Sequence, residues 1–380
     1  MKRIICLLCA FMLLALASCG TAEPIDSPAD SPSPTVTPTE SPQVSVSPEP
    51  TPSPSESPDP EPTVEVPPVT GPVNPLTGEI TETDISAKKP IAIMLNNARP
   101  AMPQQGNSQA DILYEVLAEG GVTRILGIYQ DVSDLGVVGS VRSARLYYWE
   151  LALGHDAVFV HAGGSDEFYN EKAASGYTSV DGVRGYYSYA TTGLFWRDSA
   201  RVSGKKYAYE HSLITDGAHL TDILTARKVL GEHSADYEHP LQFSADAAPA
   251  DGQNATTITV PFSSSKSTLF HYDSATNLYK VEQYGTACID GNDGSQVAIT
   301  NVLILNTECT VMDKEGRLSV DLTSGNGYFA CGGKMIPITW QKGDRTESLR
   351  YFTTDGEPLT LGVGKSYVCI LPLNYTVSVE

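Results

Sequence analysis

The amino-acid sequence predicts an α+β fold, in which a mixed α/β N-terminal domain is followed by a β-rich antiparallel C-terminal domain. Two observations carry this prediction. Between residues 88 and 235, short apolar runs suited to buried strands alternate with longer segments of helical periodicity, the order expected when helices cover a sheet. Between 250 and 377, short β runs are separated by turn sequences such as Gly325-Asn-Gly and Asp355-Gly, which is typical of antiparallel sandwiches and barrels.

Residues 1–18 have the pattern of a lipoprotein signal peptide. Lys2 and Arg3 precede an apolar run from Ile4 to Ala17, which is too short to span a bilayer comfortably. The run ends at Ser18-Cys19 and resembles the bacterial lipobox, in which the cysteine is diacylated and becomes the new N-terminus. We therefore expect lipidated Cys19 to anchor the mature chain to the extracytoplasmic face of the cell membrane. An ordinary secretory signal with a chance cysteine is the alternative.

Residues 19–87 predict a disordered tether. This segment is rich in Pro, Ser, Thr and Glu, and 17 of the chain's 26 prolines lie at or before Pro75. It has almost nothing apolar to bury, so it cannot offset the entropy of ordering. Frequent proline favours extended polyproline II, which suits a spacer between the membrane and a folded head.

The charge of the chain excludes two classes of binding. The formal net charge is −20, of which −10 lies in residues 19–90 and −12 in residues 91–380. General nucleic-acid binding needs a basic surface, and docking of the protein surface on anionic lipid has the same requirement. We expect neither nucleic acid nor an anionic lipid surface as a partner of the folded head.

The N-terminal domain, residues 88–235, begins with a predicted β–loop–α–β unit. Ser108 is predicted to open its helix, and Gly120-Gly121 to end it. On that helix Asp111, Glu115 and Glu119 would form an acidic stripe at intervals of four residues. The predicted elements are strands at 90–95, 123–130 and 157–161, and helices at 108–119, 141–153, from Asp166, and at 216–231.

An arginine cluster is the most chemically suggestive feature of this domain. If Ser140 caps a helix over Val141–Leu153, Arg142 and Arg145 project together from its first turn. Cations there oppose the helix dipole, so something must compensate for them. One candidate is a bound anion such as phosphate or pyrophosphate. The other is internal ion pairing, with the stripe of Asp111, Glu115 and Glu119 absorbing Arg124, Arg142 and Arg145. The sequence leaves both open.

Several motifs, in order along the chain, resemble the YerB-like lipoprotein family. They are Met94-Leu-Asn-Asn-Ala-Arg-Pro, Gln109-Ala-Asp-Ile-Leu-Tyr-Glu, Glu119-Gly-Gly-Val-Thr-Arg, Gly139-Ser-Val-Arg-Ser-Ala-Arg and Phe159-Val-His-Ala-Gly-Gly-Ser. The resemblance runs from about Pro75 to Pro372, and implies a bacterial envelope lipoprotein containing domains of unknown function. The family usually has proline where this chain has Ser140.

An aromatic-rich stretch with interspersed cations follows these motifs. Stacking of its rings on sugars or a peptide is one interpretation, and packing in the core or an interface is the other. The stretch contains Tyr186, Tyr187, Tyr189, Phe195, Trp196, Tyr207 and Tyr209, with Arg197, Arg201, Lys205 and Lys206.

The C-terminal domain, residues 250–377, holds four cysteines, and their disulfide state stays open. They are Cys288, Cys309, Cys331 and Cys369. Without a Cys-x-x-Cys pair among these four, a zinc site is not expected, and we predict neither a metal nor a cofactor. The sequence contains none of the standard hydrolase, metalloprotease or P-loop motifs, so catalytic residues stay unknown.

Two functions are compatible with these features. The first is a non-enzymatic, outward-facing lipoprotein that binds or modulates a cell-wall polymer or wall-synthesis proteins. The alternative is an envelope enzyme that acts on a phosphorylated wall or lipid-linked precursor, with Arg124, Arg142 and Arg145 clamping the anion.

Overall fold

A computed structural model describes residues 71–203 and 208–380 of the chain. Two predicted segments, the signal peptide with Cys19 and most of the tether, lie outside these residues. The described N-terminal half contains four α-helices: α1 (Leu146–Gly154), α2 (Asp166–Ser175), α3 (Ser199–Ser203) and α4 (Gly217–Ala226). Its strands are β1 (Ile91–Asn96), β2 (Ile112–Leu117), β3 (Thr123–Tyr129), β4 (Val137–Gly139), β5 (Val158–His161), β6 (Val180–Asp181), β7 (Trp196–Arg197) and β8 (Leu213–Asp216).

The described C-terminal half is built from strands. They are β9 (Gln242–Ser244), β10 (Gln253–Asn254), β11 (Thr257–Ser263), β12 (Lys266–Asp273), β13 (Leu278–Gln283), β14 (Thr286–Ala287), β15 (Ala298–Ile299), β16 (Asn301–Thr307), β17 (Cys309–Val311), β18 (Leu318–Val320), β19 (Ser324–Cys331), β20 (Lys334–Gln341), β21 (Arg350–Thr353), β22 (Thr360–Gly362), β23 (Ser366–Pro372) and β24 (Ser378–Val379). With helices in the N-terminal part and strands throughout the C-terminal part, the predicted α+β class is confirmed.

One long mixed sheet organises the fold. Its strand order is β10-β20-β19-β16-β23-β2-β3-β1-β5-β6, with β21 beside β20. The segments that the sequence predicts as successive domains both contribute to it, because β23 lies parallel to β2 and parallel to β16. At the other end, β1, β5 and β6 are parallel to one another.

The core lies on both faces of this sheet. On β1, Ile91, Ile93 and Leu95 belong to a cluster that includes residues of β11, β12 and β13, the main strands of the second sheet. Ala92 and Met94 point the other way, into a cluster that includes α1 and Phe168 of α2. The central strands are therefore buried on both faces, which explains why they are apolar runs and not alternating sequences.

The predicted helix between Ser108 and Gly121 is wrong. Residues Ile112–Leu117 form strand β2, flanked by short 3-10 turns at Asn107–Gln109 and Glu119–Gly121. Alternate side chains enter the two core clusters, so the segment is apolar on both sides. A short apolar run of this kind cannot be distinguished from a buried helix by periodicity.

The predicted helix at 141–153 begins five residues later than expected. Helix α1 starts at Leu146, and Arg145 occupies its N-cap without a capping side chain. Residues 141–144 are instead tied to strands: the backbone N–H of Arg142 donates to Met94, and that of Val141 donates to Leu213. Ser140 is therefore not a cap, and Arg142 lies outside the helix.

The folded part also starts before the predicted boundary at residue 88. Leu76 and Ile85 are buried, with 1% and 7% of their surfaces exposed. The Asn74 amide donates to the Asp111 carboxylate at 2.9 Å. Residues 71–87 therefore belong to the folded body, because they carry apolar side chains that it buries.

Candidate functional site

A cleft lined by three arginines lies at the carboxyl ends of strands β5 and β6. Ala162, Gly163 and Gly164 follow β5, and Val183 and Arg184 follow β6. This is the edge at which open parallel sheets usually bind ligands. The arginine cleft has a volume of about 300 Å³, and its charged lining residues are Arg142, Arg184, Arg197 and Glu210.

Arg142 reaches this cleft from the extended segment before α1. Its Nη1 donates to the backbone carbonyl of Glu210 at 3.3 Å. Its Nε is buried and has no hydrogen-bond acceptor among the described residues. Burial lowers the pKa of Arg142, the charge of the Glu210 carboxylate opposes this shift, and the charge of Arg145 adds to it. The Arg142 guanidinium is thus partly desolvated with unused donor capacity.

Arg197 and Arg184 are held by tyrosine rings. The Arg197 Cζ lies 4.0 Å from the ring centre of Tyr209 and 5.1 Å from that of Tyr189, and the Arg184 Cζ lies 4.1 Å from the ring of Tyr169. Arg197 Nη1 donates to the Tyr209 carbonyl at 2.8 Å, while its buried Nε lacks a described acceptor. Among residues 71–203 and 208–380, no carboxylate oxygen lies within 4.0 Å of a side-chain nitrogen of the three arginines that line the cleft.

The other two predicted arginines are ion-paired away from this cleft. Arg124 Nη2 lies 3.0 Å from Glu119 Oε2, and Arg145 Nε pairs with the other oxygen of the same carboxylate. Burial raises the pKa of Glu119, but the hydrogen bond from Arg145 and the charge of Arg124 outweigh it, so the pKa lies below its usual value. Burial also lowers the pKa of Arg124 to about 10. The sequence left open whether these arginines bind an anion or pair internally, and Arg124 and Arg145 pair internally.

Asp111 and Glu115 do not pair with these arginines, so that part of the ion-pair prediction is wrong. Only Glu115 lies on the strand, because Asp111 precedes β2 and Glu119 follows it in a 3-10 turn, so the three carboxylates do not form a stripe. Asp111 accepts from the Asn74 amide and from the Gln130 backbone N–H at 2.7 Å. Burial raises the pKa of Asp111 to about 6, and these hydrogen bonds lower it by less.

Glu115 forms a buried ion pair with Lys266 of the second sheet. Their side chains are 0% and 1% exposed, and Lys266 Nζ lies 2.9 Å from Glu115 Oε1. The carboxylate also accepts hydrogen bonds of 2.6–2.9 Å from four side chains: Asn97, Thr123, Thr268 and Tyr367. This network joins four strands of both sheets, and its satisfied donors indicate a structural role.

A larger cleft adjoins the arginine cleft. It has a volume of about 850 Å³, and Arg184 lines both. We call it the aromatic cleft, because its lining includes Trp149, Phe159, Tyr169, Tyr177, Tyr186 and Tyr187. Tyr177 and Tyr186 are 45% and 47% exposed. Of the aromatic stretch predicted from the sequence, Phe195 is buried in the core, whereas Lys205, Lys206 and Tyr207 lie outside the described residues.

Ser179 and His161 form a hydrogen-bonded pair beside this cleft. Ser179 Oγ lies 2.9 Å from His161 Nε2, and His161 Nδ1 lies 2.8 Å from the Gly163 carbonyl oxygen. A nucleophile and its base could have this spacing. Burial lowers the pKa of His161 to about 4, however, although the Asp181 carboxylate opposes the shift. So weak a base is poorly matched to abstracting a serine proton at neutral pH.

Within residues 71–203 and 208–380, no three His, Cys, Asp or Glu side chains are grouped so that they could hold a metal ion. No helix in the same residues is long and apolar enough to cross a membrane.

The sequence placed Arg142 in the predicted arginine cluster and named Arg197 only as a cation of the aromatic-rich stretch, and it missed Arg184. Arg184 and Arg197 lie 42 and 55 positions further along the chain than Arg142. The closest available signal was the aromatic stretch, in which Arg197 is surrounded by tyrosines.

Comparisons with known proteins agree with this architecture. Residues 76–229 match the model of the N-terminal domain of a protein family of unknown function, DUF3048, and residues 258–368 match that of its C-terminal domain. The putative lipoprotein YerB of Bacillus subtilis (strain 168) is 31% identical over 306 residues, which are 78% of this chain and 86% of YerB. A crystal structure of YerB from B. subtilis superposes with a TM-score of 0.68 at 28% identity, covering 80% of this chain and 99% of that one. The chain therefore belongs to the DUF3048 family.

Proposed function

We propose that this chain is a lipoprotein anchored on the outer face of a bacterial membrane, and that its folded part binds an anionic component of the cell envelope without transforming it. The observation that carries the proposal is the arginine cleft. Arg142, Arg184 and Arg197 line one concavity and have no carboxylate within 4.0 Å in the described chain.

The charge of the surrounding protein supports an anionic ligand. Residues 91–380 carry a net charge of −12, so carboxylates outnumber the basic side chains. Each arginine could therefore have been paired with a carboxylate. Arg124, Arg145 and Arg201 each have such a partner. The arginines of the cleft do not, although their planar guanidinium groups are the side chains best suited to a phosphate or carboxylate.

Titration with inorganic pyrophosphate tests the anion site. The full chain is kept in detergent, and binding is followed by calorimetry at fixed ionic strength. We expect saturable binding that Arg142→Gln and Arg197→Gln each weaken by about tenfold or more, because a charge-assisted hydrogen bond contributes about 1.5–3 kcal/mol. Arg350→Gln is the matched control, since this exposed arginine lies on β21, at the opposite end of the long sheet. Unchanged affinity in both cleft variants would refute the proposal.

The membrane anchor rests on the N-terminal sequence and on the relative. Lys2-Arg3, the apolar run and Cys19 have lipoprotein spacing, and the B. subtilis relative is called a putative lipoprotein. In cells fed an alkyne-bearing palmitate, we expect the wild-type chain to be labelled and to sediment with membranes. Cys19→Ala should lose the label, whereas Cys309→Ala should keep it. Labelling that survives Cys19→Ala would contradict the anchor.

A further inference from the structure

We infer that the aromatic cleft holds the sugar portion of the same ligand, so that the ligand is a phosphate-bearing glycan. This inference rests on the proposed function for the phosphate, which occupies the arginine cleft. What it adds is a second subsite and the chemical class of the molecule bound.

The two clefts are joined through one residue. Arg184 lines both, and its guanidinium stacks on Tyr169 at 4.1 Å. A ligand whose anionic group contacts Arg184 therefore reaches directly into the aromatic cleft. At about 850 Å³ against about 300 Å³, the aromatic cleft has room for a body larger than the anion, within the range usual for small-molecule sites.

Exposed aromatic rings are concentrated around these clefts. In the described chain four aromatic side chains are exposed, namely Tyr177, Tyr186, Tyr189 and Tyr209. The first two line the aromatic cleft, and the other two stack on Arg197 of the arginine cleft. A tyrosine ring left exposed does not contribute the free energy that its burial would supply. A concentrated patch of such rings indicates an interaction site.

The charges decide which part of the ligand goes where. Among the described residues that line the arginine cleft, three arginines face a single carboxylate, that of Glu210, so an anion is favoured. In the aromatic cleft the bases Lys89, Lys172, Arg184 and Lys228 face the acids Asp156, Asp181 and Glu232, and Lys89 is already paired with Asp156 at 2.6 Å. A polyanion running through both clefts would meet these carboxylates, so the group in the aromatic cleft must be close to neutral.

A sugar fits the aromatic cleft better than an acyl chain does. A pyranose ring has C–H faces that pack on tyrosine rings and a rim of hydroxyls that need hydrogen-bond partners. Thr178, Glu232 and Lys172 supply acceptors and donors among the aromatic rings. An acyl chain would leave these polar groups without partners, which costs free energy.

The test compares three probes on the full chain: inorganic phosphate, N-acetylglucosamine, and N-acetylglucosamine 1-phosphate. We expect the sugar phosphate to bind at least about tenfold more tightly than phosphate, which corresponds to about 1.4 kcal/mol. The double variant Tyr177→Ala/Tyr186→Ala should lose that gain and keep its affinity for phosphate. The matched variant Tyr177→Phe/Tyr186→Phe should keep the gain, because it retains both rings.

The outcomes separate the two proposals. If phosphate binds and the sugar phosphate binds no more tightly, the inference fails and the anion site stands. If neither anion binds, the proposed function itself fails. If the neutral sugar binds as tightly as its phosphate, or if the alanine variant keeps the gain, the shared ligand is refuted.

Two further probes distinguish the sources of such a ligand. A geranyl pyrophosphoryl N-acetylglucosamine represents a lipid-linked precursor, and a short neutral sugar oligomer with a single phosphate at one end represents a polymer. Tighter binding of the oligomer than of the monomeric sugar phosphate would assign the polymer. Tighter binding of the pyrophosphoryl sugar would assign the precursor. Failure of both to exceed inorganic phosphate would refute the inference.

Discussion

The Lys266→Met substitution is expected to cost a large part of the stability of the fold. Lys266 is the only cation within 4.0 Å of the Glu115 carboxylate in the described chain, and both side chains are almost completely buried. Methionine has a similar length, so the change removes the charge and leaves little cavity. It leaves the Glu115 carboxylate buried without a counter-charge.

The magnitude follows from that uncompensated charge. Removing one partner of a buried ion pair typically costs about 3–5 kcal/mol, and the total stability of a domain is about 5–15 kcal/mol. The neutral donors to Glu115 remain, among them Asn97, Thr123 and Tyr367, which places the expected loss toward the lower end. We expect the free energy of unfolding to fall by about 3 kcal/mol.

Urea denaturation at pH 7 measures this loss, with the slope of the transition checked for constancy. Lys280→Met is the matched control, because this lysine pairs with Asp273 at 2.6 Å but is 42% exposed. Solvent screens such a surface pair, so this control should change the free energy of unfolding little. Adding Glu115→Gln to Lys266→Met should restore part of the stability, since the buried charge is then gone. A loss below about 1 kcal/mol, or no recovery in the double variant, would refute this reasoning.

Three further predictions concern other parts of the fold. Glu119→Gln removes the carboxylate that pairs with both Arg124 and Arg145, and should lower the free energy of unfolding by about 2 kcal/mol. Urea denaturation measures this loss, and an unchanged transition midpoint would contradict the pairing. Burial lowers the pKa of His155 and of His161 to about 4, against 6.5 for an ordinary histidine. At these two sites the unfolded chain binds more protons between these values, whereas at Asp111, with a pKa raised to about 6, the folded chain does. With two sites against one, stability should fall as the pH is lowered from about 6.5 to about 4. Denaturation curves of His155→Gln should show a smaller loss of stability over this pH range. A loss equal to that of the wild type would show that His155 does not contribute to the pH dependence. Four thiols of the described chain are unpaired, and burial raises the pKa of each: Cys288, Cys309, Cys331 and Cys369. We expect iodoacetamide at pH 8 to modify these four only after unfolding, which mass spectrometry of native and urea-treated protein measures. Rapid labelling of the native protein would contradict this prediction.

Strands and helices with unambiguous local signals were predictable. The Ser165 hydroxyl accepts from the Phe168 backbone N–H and caps α2, as the position of Asp166 suggested. The α4 helix begins after Asp216, which caps it through His219. These elements depend on contacts within three residues, which a sequence displays directly.

Strand β19 shows where local signals mislead. Its Gly325-Asn-Gly sequence predicted a turn, but the segment pairs with both β16 and β20. A Cβ on Gly327 would lie 2.2 Å from the Ile304 carbonyl oxygen. Glycine there permits close approach of a neighbouring strand, and that neighbour is specified only by long-range pairing.

Composition and short-range periodicity predict the layout of this chain: an anchor-like N-terminus, an acidic proline-rich segment, and a head whose helices lie in its first half. Which charges meet depends on the folded arrangement of the strands. Glu119 pairs with Arg124 and Arg145, and Glu115 pairs with Lys266. Arg142 lines a cleft together with two arginines that lie more than 40 positions further along the chain. Charge pairing acts through space over a few ångströms. Long-range strand pairing, such as that of β2 with β3 and of β7 with β8, decides which residues come within that range.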